Sequence, residues 1–288
     1  MEETSVAVQI RLPAPELRAF VTFYYFVKVS GHLTDFLYPE WGNVRLSLSG
    51  DWRIRNDPRD AEAPVERALF GPTDRRGKIV TRTGGATAGF GLTPLGWDRL
   101  IGGSAGAMAN RVREITGELG CDVLDLQAAF VADGSDYAAG TARFDAVLVD
   151  LMDARPPNQK LVLKTDRVLR QLPPNATTFA AEVGVSPRTL HRVCLGAFGF
   201  SPKRLLRRQR FLQILGLIRV SPESKFGPLI GDAYFDQAHF NRDFRDFMGM
   251  TAREYARTPR ALMRAAAAAQ VANNITLSFE LPEPPHAT

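Results

Sequence analysis

Two short stretches of the chain carry side chains of the type that hydrogen-bonds to base edges. In the first, Arg188, Thr189, His191 and Arg192 share one face of a short helix, opposite Leu190, Val193, Cys194 and Ala197. In the second, Gln237, Ala238, His239, Asn241 and Arg242 stand opposite Phe240, Phe244 and Phe247, which recur at the i, i+4, i+7 spacing of a buried face. Arginine presents a fork that matches guanine, glutamine and asparagine match adenine, and alanine can touch a thymine methyl. A helix lying in a major groove needs polar groups outward and apolar groups inward, the arrangement both stretches predict. Arg242 and Arg245 suit phosphate contacts. So does Arg208, which shares one side of a long intervening helix with Lys203, Arg204, Arg207 and Arg210.

The signals that start and stop helices around these stretches are clear. Leu161–Leu172 is amphipathic and stops at Pro173-Pro174. Thr177 or Thr178 caps a helix through Glu182, and Gly184 ends it. Ser186-Pro187 starts the next helix, which runs to Phe198 and ends at Gly199. Ser201-Pro202 repeats that start. Asp236 caps a helix ended by Gly249, Thr251 caps a short one, and Ala261–Ala269 forms another helix. Helix, tight turn, helix, glycine and hydroxyl cap therefore occur twice. Each unit is a helix-turn-helix candidate, and two copies joined by a basic helix are far more specific than one.

The segment from about Leu161 to Arg257 resembles the tandem helix-turn-helix domain of AraC/XylS-type transcription regulators. The resemblance rests on Ala181-Glu182-Val183-Gly184-Val185-Ser186-Pro187-Arg188-Thr189-Leu190-His191-Arg192, on Gly199-Phe200-Ser201-Pro202, on Asp236-Gln237-Ala238-His239-Phe240-Asn241-Arg242-Asp243-Phe244 and on Gly249-Met250-Thr251. It implies two reading helices in successive major grooves, with Arg188, Thr189, Arg192, Gln237, Ala238 and Asn241 facing bases. Cys194, Ala233 and Ala252 depart from the usual Phe, Gly and Pro, and Gly227-Pro228 interrupts the helix before the second turn. The implied partner is double-stranded DNA. RNA polymerase, a small-molecule effector and a second copy of the chain are further candidates.

The front half reads differently. Phe20–Val29, Val44–Leu48, Trp52–Arg55, Val65–Phe70, Lys78–Thr83 and Ala88–Leu92 are short strands between turn residues, a spacing that favours a small sandwich or barrel. Tyr38-Pro39-Glu40-Trp41, Gly71-Pro72-Thr73 and Thr93-Pro94-Leu95-Gly96-Trp97 resemble the sensory domain that precedes the DNA-binding domain in some family members. That resemblance implies a cupin-like β-barrel followed by helices. From Ala107 to Leu119 the apolar period becomes helical, with further helices expected near Asp122–Val131 and Ala138–Met152. The expected fold is α+β. Residues 1–105 form a β-rich sensory domain, 106–155 a helical connector suited to dimerisation, 158–260 the tandem domain and 261–288 an Ala-rich helix and tail. Arg155-Pro156-Pro157-Asn158 is the linker candidate.

Charge agrees with this division. Residues 1–150 hold 16 Lys and Arg against 20 Asp and Glu, whereas 151–260 hold 19 against 9. The composition excludes a disordered or collagen-like chain, and no apolar run is long enough to span a bilayer. The acidic start and the two cysteines point to the cytoplasm. Gly102-Gly103-Ser104-Ala105-Gly106 mimics a nucleophile elbow but lacks a preceding strand and a partner histidine. Gly84-Gly85 through Gly91 lacks phosphate-loop spacing. The histidines and cysteines lack metal-ligand spacing, so no catalytic residue, cofactor or metal is expected. The rival readings are a DNA-binding domain fused to an enzymatic N-terminal domain, and an architectural DNA-binding protein without a ligand.

Overall fold

The computed structural model describes residues 4–56, 61–115, 127, 136–153, 159–220, 234 and 237–273. The N-terminal half is built from ten strands: β1 (Val6–Arg11), β2 (Val21–Ser30), β3 (Leu33–Leu37), β4 (Asn43–Gly50), β5 (Arg53–Arg55), β6 (Ala63–Pro64), β7 (Arg67–Phe70), β8 (Gly77–Thr81), β9 (Gly84–Leu92) and β10 (Val112–Glu114). They form two antiparallel sheets, one ordered β1-β2-β9-β4-β7-β10 and the other β3-β8-β5-β6. Of the two expected β architectures, the two sheets fit the sandwich and not the closed barrel. The glycines of 84–91 lie within β9, paired with β2 and β4, and make no phosphate loop.

The helix expected from Ala107 is also corrected. Ala105–Met108 makes a single 3-10 turn, and Val112–Glu114 adds a strand to β7. An edge with open hydrogen-bonding groups outweighs a weak helical period there. The helix expected near Asp122–Val131 and the linker at 155–158 lie outside the described residues, apart from Gln127. Trp97–Ile101 is helical, so Ser104 does not follow a strand as a nucleophile elbow requires.

Eight further helices are described: α1 (Tyr137–Asp153), α2 (Lys160–Arg170), α3 (Ala176–Val183), α4 (Pro187–Val193), α5 (Pro202–Val220), α6 (Gln237–Met248), α7 (Ala252–Arg257) and α8 (Ala261–Ala272). Helix α1 packs into the N-terminal core rather than standing apart as a connector. Phe144 is fully buried and stacks on Tyr24 at 5.0 Å, while the Tyr24 hydroxyl donates to Asp145 at 2.6 Å. Burial of these two rings and of Leu148 ties the helix to the sheet.

The two halves meet along α5. Arg208 is 1% exposed; its Nε donates to the Thr73 carbonyl at 2.9 Å, and its guanidinium lies 4.1 Å from the centre of the Trp41 ring. The expectation that Arg208 faces DNA phosphate is therefore corrected. The ring and the carbonyl of the N-terminal half hold it out of solvent. Burial pulls its pKa down to about 9, which leaves it charged at neutral pH. Arg204 bonds Asp74 at 2.7 Å, and Trp41 meets Phe198 edge to face at 5.9 Å. At Gly199, with φ +86°, a Cβ would come within 2.4 Å of Pro72 Cγ, so the joint also needs a glycine there.

A second junction is made by α8. The Asp35 carboxylate accepts the amides of Leu262 and Met263 at 2.8 and 3.3 Å, and the Tyr38 and Tyr255 hydroxyls meet at 2.7 Å. Burial raises the Asp35 pKa from 3.8 to about 6, against the lowering effect of those amides and of Phe36.

Two outcomes follow from these junctions. The folded-state pKa of Asp35 lies above its unfolded value. Its stabilising contribution is therefore complete below about pH 4 and is lost as pH rises through 6. Asp35→Asn keeps an acceptor and removes the charge. In thermal unfolding it is expected to match the parent near pH 4 and to exceed it at pH 7 by on the order of 1–3 kcal/mol. A difference that fails to widen across that range refutes the assignment. Arg208→Met keeps the stem but leaves the Thr73 carbonyl unpaired, which should cost about 1–3 kcal/mol in denaturant unfolding. An unchanged unfolding midpoint would show that the joint does not depend on this side chain.

Candidate DNA interface

The first unit is α3, a tight turn and α4. Asn175 caps α3, its side chain accepting the amides of Thr177 and Thr178 at 3.0 and 2.9 Å. This corrects the cap expected at Thr177 or Thr178: the asparagine reaches both orphan amides at once. Gly184 ends the helix at φ +76° and ψ 36°, a left-handed conformation that favours glycine. Ser186 caps α4 by accepting the Thr189 amide at 3.2 Å, with Pro187 in the first turn.

These caps fix which face of α4 is turned inward. Leu190, Cys194, Ala197 and Phe198 are buried against Phe179, Ala180 and Val183. Arg188, His191 and Arg192 are exposed on the other side, and Thr189 is half-buried. The Thr189 hydroxyl meets Ser186 Oγ at 3.0 Å, so it also supports the helix start. Burial pushes the Cys194 thiol up to about 12, which suits a packed side chain and not a nucleophile.

The second helix expected to read bases is α6. Phe240, Phe244 and Phe247 are buried among Phe211, Tyr234 and Tyr255. Gln237, Ala238, Arg242 and Arg245 are exposed, while His239 and Asn241 are half-buried. His239 packs edge-on to Tyr234 at 5.1 Å, a contact that ties it to the core as well as to the surface. The segment holding Gly227-Pro228, Ala233 and Asp236 lies outside the described residues, so the expectations for the first helix and cap of this unit lie there too.

Helix α5 joins the units. Its 19 residues span about 28 Å at 1.5 Å each. Two residues of the basic side read from the sequence, Arg204 and Arg207, are turned toward acids, while Lys203 is exposed. Arg207 reaches Asp243 at 2.6 Å and Asp246 at 2.7 Å. Arg204 bridges Asp74 and Asp246. Asp243 is fully buried and also accepts the Tyr234 hydroxyl at 3.1 Å. These pairs lock α6 onto α5 and thereby orient the second reading face. Sequence reasoning missed this use of Arg204 and Arg207. The available signal was the acidic pair Asp243 and Asp246, which sits on the helix otherwise rich in base-reading types.

Of the predicted site residues, ten are exposed or half-buried on α4 and α6, and Arg208 is not among them. Exposed arginines beside a helix N-terminus and amide side chains beside a small residue form a surface able to grip phosphates and read base edges.

Residues 179–258 match the family model described as "Helix-turn-helix domain". No curated relative matches the chain. Among solved structures, ToxT from Vibrio cholerae is similar over 88% of this chain and 97% of its own at 10% identity and a TM-score of 0.48. A ToxT structure from Vibrio cholerae strain SCE256, bound to an unsaturated fatty acid, is similar over 88% and 95% at 9% identity and 0.45. The AraC-like transcriptional activator CuxR is similar over 72% and 86% at 16% identity and 0.28. Residues 179–258 of this chain are a helix-turn-helix domain.

Proposed function

We propose that the chain is a sequence-specific DNA-binding transcription regulator controlled by a small molecule held in its N-terminal half. The observation that carries the DNA-binding part is the pair of amphipathic helices, α4 and α6. Each buries an apolar face and exposes Arg, Gln or Asn on the other. Arg188, Thr189, His191 and Arg192 form the first reading face. Gln237, Ala238, His239 and Asn241 form the second, with Arg242 and Arg245 on phosphates.

The effector part rests on a cavity of about 100 Å³ between β1, β2, β4 and α8. Ile10, Phe23, Trp52 and Leu262 supply apolar walls, and Glu40, Arg45 and Arg219 supply a polar side. Glu40 and Arg45 form an ion pair at 2.6 Å, and Arg219 donates to Gln270 at 3.2 Å. A compact apolar molecule with one polar or anionic group suits that lining. RNA polymerase and a second copy of the chain are the protein partners this reading puts forward. Among the described residues, no helix is long and apolar enough to cross a membrane.

DNA binding is tested by fluorescence anisotropy on a site found by genome-wide footprinting. Affinity is expected to fall with salt at a log–log slope of about −0.9 per phosphate neutralised. Arg192→Ala should cost on the order of 1–3 kcal/mol on that site and relax base choice at one position. A slope near zero, together with unchanged affinity in Arg192→Ala, would overturn the assignment.

A further inference from the structure

A second recess lies at the junction of the two halves, between the β3-β8-β5 sheet and the C-terminal end of α6. Its volume is about 480 Å³, larger than the cavity beneath α8. Arg55, Asn56, Arg76, Lys78, Asp246 and Gly249 are among the residues that line it. Arg75 and Asp35 also border it.

Several of these charges are already matched. Lys78 pairs with Glu62 at 2.8 Å and Arg75 with Asp74 at 3.3 Å. Asp246 is held by Arg204 and Arg207, and the Asp35 carboxylate is turned to the α8 amides. Two donors stand out. Arg76 is half-buried between the Phe36 ring, at 5.6 Å, and Met250 Sδ, at 3.9 Å; Glu254 is near enough to favour its charge but forms no ion pair with it among the described residues. Asn56 is 7% exposed, and its Nδ2 has no hydrogen-bond partner among the described residues. A buried amide donor and a half-desolvated guanidinium each need an acceptor, and leaving them without one is costly.

We propose that this recess is a binding site for a small, multiply charged anion of the phosphorylated class. Arg55 and Arg76 would hold oxygens of its phosphoryl groups, and the Asn56 amide would donate to one of them. Guanidinium forks match phosphate oxygens two at a time. DNA is the less suitable occupant. Asp246 lies nine residues along α6 from Gln237, about 14 Å from the reading end of that helix. The site touches both the N-terminal sheet and α6, so an anion bound there bears on how the second reading helix is seated.

The test is isothermal titration of pyrophosphate into the full-length protein without DNA, so its outcome is independent of the DNA-reading assignment. Saturable binding at one site is expected. Arg55→Gln and Arg76→Gln should each weaken it about tenfold or more, and Asn56→Ala by a smaller factor. Arg188→Gln and Arg242→Gln, on the reading faces, should leave it unchanged. Circular dichroism checks folding of each variant; if Arg76→Gln fails to fold, the more peripheral Arg55→Gln carries the test. Absence of saturable binding overturns the proposal. So does binding lost in Arg188→Gln or Arg242→Gln and kept in Arg55→Gln, which would place the anion on the DNA surface.

Discussion

Arg208 places a full positive charge in a nearly dry joint, and the surrounding structure is arranged to tolerate it. Taking a guanidinium out of water costs several kcal/mol unless donors and charge are matched. Here the Thr73 carbonyl takes one N–H, the Trp41 ring faces the cation, and Glu40 and Asp74 lie close enough to favour its charge. Those partners come from the loops that leave β3 and β7. The docking of α5 therefore depends on the N-terminal sheets holding Trp41 and Thr73 in place. Once docked, α5 fixes α6 through Arg207 and Asp243, and so the orientation of the second reading face depends on the same joint.

Helix α5 carries this constraint further along the molecule. Arg204 and Arg208 sit near its start, and Arg219 near its end lies 4.5 Å from the centre of the Tyr38 ring and donates to Gln270 of α8 at 3.2 Å. Arg219, Leu262, Met263 and Gln270 all line the cavity beneath α8. A molecule in that cavity would touch the N-terminal sheet, the helix joining the reading units, and the last helix of the chain together. Coupling between effector and DNA needs differential contacts of this kind and not distance alone. The anion recess lies on another side of the same junction, so the two sites would act on the seating of α6 from different directions.

The reading helices were legible because their signals are local. Ser186-Pro187, Gly184, Gly199, Gly249 and Thr251 act on their own few residues, and each has the role its type predicts. Thr251 and Glu254 form a reciprocal capping box for the same reason. The amphipathic spacing of Phe240, Phe244 and Phe247 likewise needs no knowledge of the partner, since any buried face at that period must point inward. The exposure of Arg188, Arg192, Gln237 and Arg242 follows directly from it.

Tertiary structure alone decided where the remaining charges go. A row of arginines on α5 looks the same in sequence whether it faces phosphates, water or carboxylates of another element. Asp74 lies 130 residues before Arg204, and Thr73 lies 135 before Arg208. Nothing local links them. The same holds for α8: its alanine-rich composition predicts a helix, but its docking on Asp35, 227 residues earlier, comes from the fold. The open sheets, the strand at 112–114 and the burial of Phe144 were hidden for one reason. Strand pairing and core burial are settled by distant partners, whereas caps and helical periods are settled within a turn or two of the chain.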